Sequence, residues 1–158
     1  MDVELDEFQP LGQIPKLVVD RLWPGFVPQD YDVSINPVRL RRHMQNKPDW
    51  MDRVSVLNQQ TDRLVACLRH PYVFARYEVG SADGAGVNVY GEVPGLAGEP
   101  TTYLALGIRL FPAKDSDGRP NYVSTLIPPM SAMKLHSRLN KMTHCWPDGR
   151  LQALKRGR

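Results

Sequence analysis

Apolar positions recur at helical spacing in the first half of the chain and alternate in the second. Val54, Leu57, Thr61, Leu64 and Leu68 follow one another at intervals of three, four, three and four, flanked by Met51 and Val65, so one face of a helix is apolar. An earlier helix is predicted from Val38 to about Asn46. Asn36 suits its N-cap, and Pro37 suits the first helical position, where a missing N–H costs nothing. Pro48 ends that helix and can open the next, with Asp49 and Asp52 favouring its positive N-terminus.

After His70-Pro71 the period changes to that of strands. Tyr72 to Val79, Val87 to Val93, Tyr103 to Leu110 and Tyr122 to Ile127 are β-branched or aromatic runs. They are parted by turn-forming stretches: Gly80 to Gly86, Gly91 to Pro100, and Asp115-Ser116-Asp117-Gly118. In the third run Leu104, Leu106, Ile108 and Leu110 share a face that belongs to the core, while Tyr103, Ala105, Gly107 and Arg109 are expected to face away. Pro128-Pro129 is read as the end of the sheet, and Leu135, Leu139 and Met142 as one more amphipathic helix.

Before Asn36, prolines at 10, 15, 24 and 28 oppose long elements, so at most a short helix near Ile14 to Leu22 is expected. The fold class read from these patterns is α+β, with N-terminal helices packed on a four-stranded antiparallel sheet and a C-terminal helix. Residues 1–35 form an irregular proline-rich N-terminal extension in this reading, 36–142 the α+β catalytic-type domain, and 143–158 a basic tail.

With 158 residues, 42% of them apolar, such a domain can bury a core without metal or disulfide staples. No stretch has the length of a membrane helix, and the acidic start is unlike a signal peptide, so a cytoplasmic protein with no membrane contact is expected. Cys67 and Cys145 are too few for a disulfide framework, and Cys67 sits where a buried thiol is the ordinary explanation.

The net charge of +3 hides an uneven distribution. Acids dominate before Asn36. Bases dominate from Pro129 onward, where Lys134, Arg138, Lys141, Arg150, Lys155, Arg156 and Arg158 face only Asp148. Arg39, Arg41, Arg42 and Lys47 add a cluster on the first helix. Such patches suit a polyanion such as RNA, although a solvated face is the plainer reading.

Several motifs fail on context. The glycines at 84 and 86 precede no helix and lack the lysine of a phosphate loop, so they read as turns. Asp115 to Gly118 lacks the closing glutamate of a calcium loop. His43, His70, His136 and His144 are not paired at metal-ligand spacing, and no cofactor or metal is expected.

What remains suits RNA cleavage without a metal. That chemistry needs a base for the 2′-hydroxyl, an acid for the leaving oxygen, and fixed cations or hydroxyl donors for charge growing on the phosphate. His43 has the right chemistry for proton transfer and lies among cations, with Arg42 and Lys47 as phosphate contacts. Arg109 is a candidate phosphate cation. Arg76 and Tyr77, ending the first strand, are candidates for a clamp and a donor. Ser124 and Thr125 are adjacent and so point to opposite faces; alternation favours Ser124 as the outward hydroxyl.

These parts follow a familiar order. Arg41-Arg42-His43-Met44-Gln45-Asn46-Lys47-Pro48, Leu68-Arg69-His70-Pro71-Tyr72-Val73, the Tyr103-to-Leu110 strand and Asn121-Tyr122-Val123-Ser124-Thr125-Leu126-Ile127-Pro128 together resemble the phage-associated branch of the barnase–EndoU–colicin–RelE-like ribonuclease fold, over roughly Asn36 to Pro128. The resemblance implies helices on an antiparallel sheet, metal-free cleavage of RNA, and a toxin, phage or mobile-element setting with a cognate inhibitor or a phage or host protein as partner. It casts His43 as acid or base, Arg109 as phosphate cation and Thr125, in place of Ser124, as the hydroxyl. The chain reads Asn46-Lys47-Pro48 where the family commonly has a second histidine. The competing class is a non-catalytic inhibitor or adaptor on a nuclease-like scaffold. A nuclease must gather His43, Arg109 and a hydroxyl within one substrate's reach, whereas a binder can scatter them.

Overall fold

Asn36 adopts an extended backbone and its side chain accepts a hydrogen bond from the Arg39 N–H, so the helix starts at Pro37 as its cap chemistry dictates. The computed structural model describes residues 7–59, 61–77, 84–113, 119–141 and 144–146, and the side chains of all of these except 56–59, 61 and 62. In chain order the elements are β1 (Gln9–Gln13), α1 (Lys16–Leu22), β2 (Asp32–Ile35), α2 (Pro37–Met44), α3 (Trp50–Gln59), α4 (Thr61–Arg69), β3 (Val73–Tyr77), β4 (Ala85–Val93), β5 (Thr102–Leu110), β6 (Tyr122–Met130), α5 (Ala132–Leu139) and β7 (Cys145–Trp146). The helix expected to follow Pro48 corresponds to α3 and α4, and residue 60 between them lies outside the described residues.

The α+β character stands, but the four-stranded antiparallel sheet does not. Among the described residues the sheet has seven strands in the order β1-β2-β6-β5-β4-β3-β7, and it is mixed because β2 runs parallel to β6. The helices are scattered among the strands: α1, in the place of the short helix expected near Ile14 to Leu22, lies between the first two strands, and α5, in the place of the expected C-terminal helix, follows the sixth. The missed strands are short or polar: β1 reads Gln-Pro-Leu-Gly-Gln, β2 Asp-Val-Ser-Ile, and β7 only Cys-Trp. β1 and β7 lack the β-branched alternation by which strands are recognised, while β2 has it at Val33 and Ile35 but over only four residues, and each forms where a neighbouring edge supplies its hydrogen bonds.

Pro128-Pro129 also fails to end the sheet, because β6 continues to Met130. Here β6 pairs with β5 on one side, and its register with β5 is irregular opposite Leu104. The register with β2 is confined to Ser34 opposite Tyr122, so the prolines lie on a length of strand with no strand partner on that side among the described residues. Proline is tolerated in just such edge and bulge positions.

Two cores sandwich the sheet. On one face α1, α2 and α4 bury Val18, Val19, Leu22, Leu40, Met44, Leu64, Cys67 and Leu68 against Val87, Val89, Leu104, Leu106, Ile108, Leu110 and Leu126, with Val54 of α3 packed at the margin. The opposite face, expected to be open, is covered over much of its length. Tyr103 and Ala105 are buried there with Tyr72, Val73, Tyr90, Ile127 and Met130 under Leu135 and Leu139 of α5. Cys67 packs on Gly91, where a Cβ would come within 2.6 Å of its sulfur, and burial pushes its thiol up to about 12. It is an inert core thiol.

Leu64 is fully buried in the first core. Leu64→Ala should therefore cost about 2 to 5 kcal/mol of unfolding free energy in denaturant titration. A loss below about 0.5 kcal/mol, the size of an ordinary surface substitution, would mean that α4 does not pack as described.

Among the described residues no helix is long and apolar enough to cross a membrane. The expected turns at 80–83 and 115–118, Met142, and the basic residues from Arg150 to Arg158 lie outside the described residues.

Candidate active site

Where β2 meets β6, a buried asparagine fixes the geometry. Asn121 donates to the Asp30 carbonyl, the Asp30 carboxylate and the Asp32 carbonyl, each at 3.0 Å, and its side-chain oxygen accepts the Phe111 N–H at 2.9 Å. One side chain thereby ties the approach to β2, the end of β5 and the start of β6. Such a fully satisfied buried network holds one arrangement in place.

Alongside this junction lies a pocket of about 450 Å³. Asn36, Arg39, Leu40, His43 and Lys47 line it from α2 and its flanks, Tyr77 from β3, Arg109 from β5, and Tyr122, Val123, Ser124 and Thr125 from β6. His43, Arg109, Ser124 and Thr125, the four catalytic candidates, are all there, with the substrate-binding candidates Lys47 and Tyr77. Arg42 and Arg76 are not. Arg42 is exposed on α2. Arg76 lies on the other face of β3, its guanidinium 3.7 Å from the centre of the Trp23 ring and donating to the Leu22 carbonyl at 3.4 Å.

The choice between Ser124 and Thr125 dissolves in the local geometry. Gly107 pairs with Thr125 and Ile108 with Val123, so Ser124 is an extra residue in β6, a bulge. A bulge breaks strict alternation, and both hydroxyl residues reach the pocket. Ser124 Oγ donates to the Gly107 carbonyl at 3.2 Å and sits 3.3 Å from the Tyr77 hydroxyl, which also donates to the Ile108 carbonyl at 3.3 Å. Glycines make room for this layer. A Cβ at Gly107 would lie 2.6 Å from Thr125 Cγ2, and one at Gly86 would lie 2.7 Å from the Tyr77 ring. Gly107 thus serves the close approach of Thr125.

Arg53 escaped notice in the sequence. Its guanidinium donates to Thr125 Oγ1 at 3.0 Å and to the Leu126 carbonyl, while Asp49 holds its Nε at 2.6 Å. The available signal was the Asp49–Arg53 spacing of four, which places opposite charges together on a helix. That spacing marks an ion pair on any helix, and nothing in it announced a tie to β6.

The field in the pocket is positive. Arg39, Lys47 and Arg109 line it beside His43, and no carboxylate is among the lining residues. Partial burial, then the charges of Lys47 and Arg53, hold the His43 imidazole below its ordinary pKa, so it is neutral at neutral pH and able to accept a proton. Burial dominates at Tyr77 and raises its phenol, which Ser124 and Arg109 only partly offset, so it stays protonated and able to donate. Among the described residues no three His, Cys, Asp or Glu side chains gather to hold a metal ion.

Arg53→Ala should raise the His43 pKa, because one of the cations that disfavours imidazolium is removed. Titration of the imidazole by NMR reads this directly, and an unchanged value would place Arg53 outside the field that sets His43.

Comparison with protein-family models, curated proteins and solved structures gave no match. The chemistry of the pocket is therefore the main guide to function.

Proposed function

We propose that the chain is a metal-independent endoribonuclease acting at this pocket. One observation carries the reading: His43, Arg109 and two hydroxyl residues, which come from α2, β5 and β6, line a single cationic pocket. The chain order that resembles the ribonuclease family supports it, as does the protonation state favoured at His43.

In this mechanism neutral His43 takes the proton of the ribose 2′-hydroxyl as that oxygen attacks the adjacent phosphorus. The bond from phosphorus to the 5′-oxygen breaks, leaving a 2′,3′-cyclic phosphate on one product. The departing 5′-oxygen receives the Tyr77 phenol proton, and Tyr77 fills the role for which the family commonly offers a second histidine. Arg109, with Lys47 and Arg39, stabilises charge on the non-bridging oxygens in place of a metal ion. Ser124 holds Tyr77 in position, and Thr125 links the site to Arg53.

Incubating the purified chain with total RNA in EDTA tests the proposal. Cleavage that survives the chelator and weakens as pH falls through the lowered His43 pKa is expected, because protonation removes the base. RNA that is bound by the chain yet stays intact would favour the inhibitor or adaptor reading, with the same basic pocket serving recognition alone.

A further inference from the structure

Three of the pocket's lining residues belong also to a line of aromatic and guanidinium groups that leads out of it. The Tyr122 ring lies between Phe8, at 5.7 Å, and Phe111, at 5.9 Å and nearly parallel. Arg39 caps the Phe8 end with its guanidinium 5.7 Å from the ring centre. Arg119 caps the Phe111 end at 4.7 Å, and Arg109 approaches the same ring at 5.4 Å. Arg39 and Arg119 are exposed, Phe8 and Tyr122 half-buried, and Phe111 buried. The sequence elements that build this row are far apart: the segment before β1, the first turn of α2, and the ends of the β5–β6 connection.

We propose that the Arg39–Phe8–Tyr122–Phe111–Arg119 ridge is a docking track for the single-stranded RNA that flanks the scissile phosphate, an inference that rests on the ribonuclease reading above. A guanidinium held over a ring keeps its N–H edge free for phosphate oxygens and loses little further freedom on binding. Phe8 and Tyr122 are only half-buried, so each leaves part of its ring for a base to pack against. Alternating fixed cations and aromatic planes match what a single strand presents, a charged backbone with unpaired bases. In a duplex those base faces are already covered by their neighbours, so only the phosphate part of the match survives. The ridge joins the pocket at Arg39, Tyr122 and Arg109, so a strand lying on it delivers its phosphate to His43.

The test reads binding apart from cleavage. With His43→Ala protein, anisotropy of a labelled oligoribonucleotide is measured as a single strand and as the same sequence in a blunt duplex. The single strand should bind about tenfold or more tightly, and Phe8→Ala and Arg119→Gln should each remove about tenfold of its affinity, the effect of losing one stacking or cationic contact. Arg119 is exposed at the end of the row, so Arg119→Gln keeps the test decisive even where Phe8→Ala disturbs the fold. Equal binding of strand and duplex, or native affinity in Arg119→Gln and in a folded Phe8→Ala, would overturn the track and leave it a purely structural stack. Tight, ridge-dependent binding of RNA that the native chain never cuts would keep the track and remove the ribonuclease reading. Cleavage by the native chain with ridge variants binding normally would do the reverse.

Discussion

His43→Ala is expected to lower EDTA-resistant RNA cleavage by about 10² to 10⁴, the usual consequence of removing a general acid or base, while leaving the melting transition close to that of the native chain. The residue lies on the exposed side of α2 and belongs to neither core cluster, so its removal takes away little packing. Leu40 and Met44, on the buried side of the same helix, hold α2 against the sheet without it. The neutral form at neutral pH makes the assignment specific: an imidazole held low by partial desolvation and by the charges of Lys47 and Arg53 is placed to accept a proton. Full activity in this variant would remove His43 from the chemistry, whatever the pocket does.

Arg109→Ala should lower the same activity by about 10² to 10³, the range for loss of a group that stabilises transition-state charge. Its strand is fixed on both sides by β4 and β6, which places the guanidinium beside Tyr77 and Tyr122 in the pocket wall. Arg109→Lys should recover only part of the loss, because an ammonium supplies charge without the planar fork that meets two phosphate oxygens at once. Steady-state rates with a defined oligoribonucleotide would separate the cases, and an equal rate in all three proteins would make Arg109 a structural arginine held by the Phe111 ring.

The helix starts were legible because capping chemistry is local. Asn36-Pro37 states where α2 begins; Ser131 caps α5 in the same way, a signal present in the sequence that was not used. The central strands were legible because Leu104, Leu106, Ile108 and Leu110 alternate along an uninterrupted run. What failed was whatever depends on a partner. β1 and β7 have little propensity of their own and β2 only a four-residue alternation, and they exist as strands because β2, β3 and β6 respectively offer edges to β1, β7 and β2. The second core was missed for a similar reason: Tyr103 and Ala105 read as outward until α5 is known to fold back over them.

The site was legible in its chemistry and only partly in its geometry. His43, Arg109, Lys47 and Tyr77 were selected by residue type and position, and the fold brings them together. Arg76 was misplaced because adjacent strand residues face opposite ways, so one of the Arg76–Tyr77 pair had to lie across the sheet from the pocket. The bulge at Ser124 could not be seen, since it arises from the register of β6 against β5. Arg53 was hidden because its partners, Thr125 and the Leu126 carbonyl, lie about seventy residues away.

The central claim is that this pocket cuts RNA through the substrate's own 2′-hydroxyl with protein groups alone. End-group analysis of an oligoribonucleotide cut by the native chain in EDTA tests it most directly. A 2′,3′-cyclic phosphate on one fragment and a 5′-hydroxyl on the other are predicted, with cutting abolished by a single 2′-deoxy substitution at the cleaved nucleotide. Ends bearing a 3′-hydroxyl and a 5′-phosphate, cleavage that returns only with added magnesium, or cutting that continues past the 2′-deoxy position would contradict it.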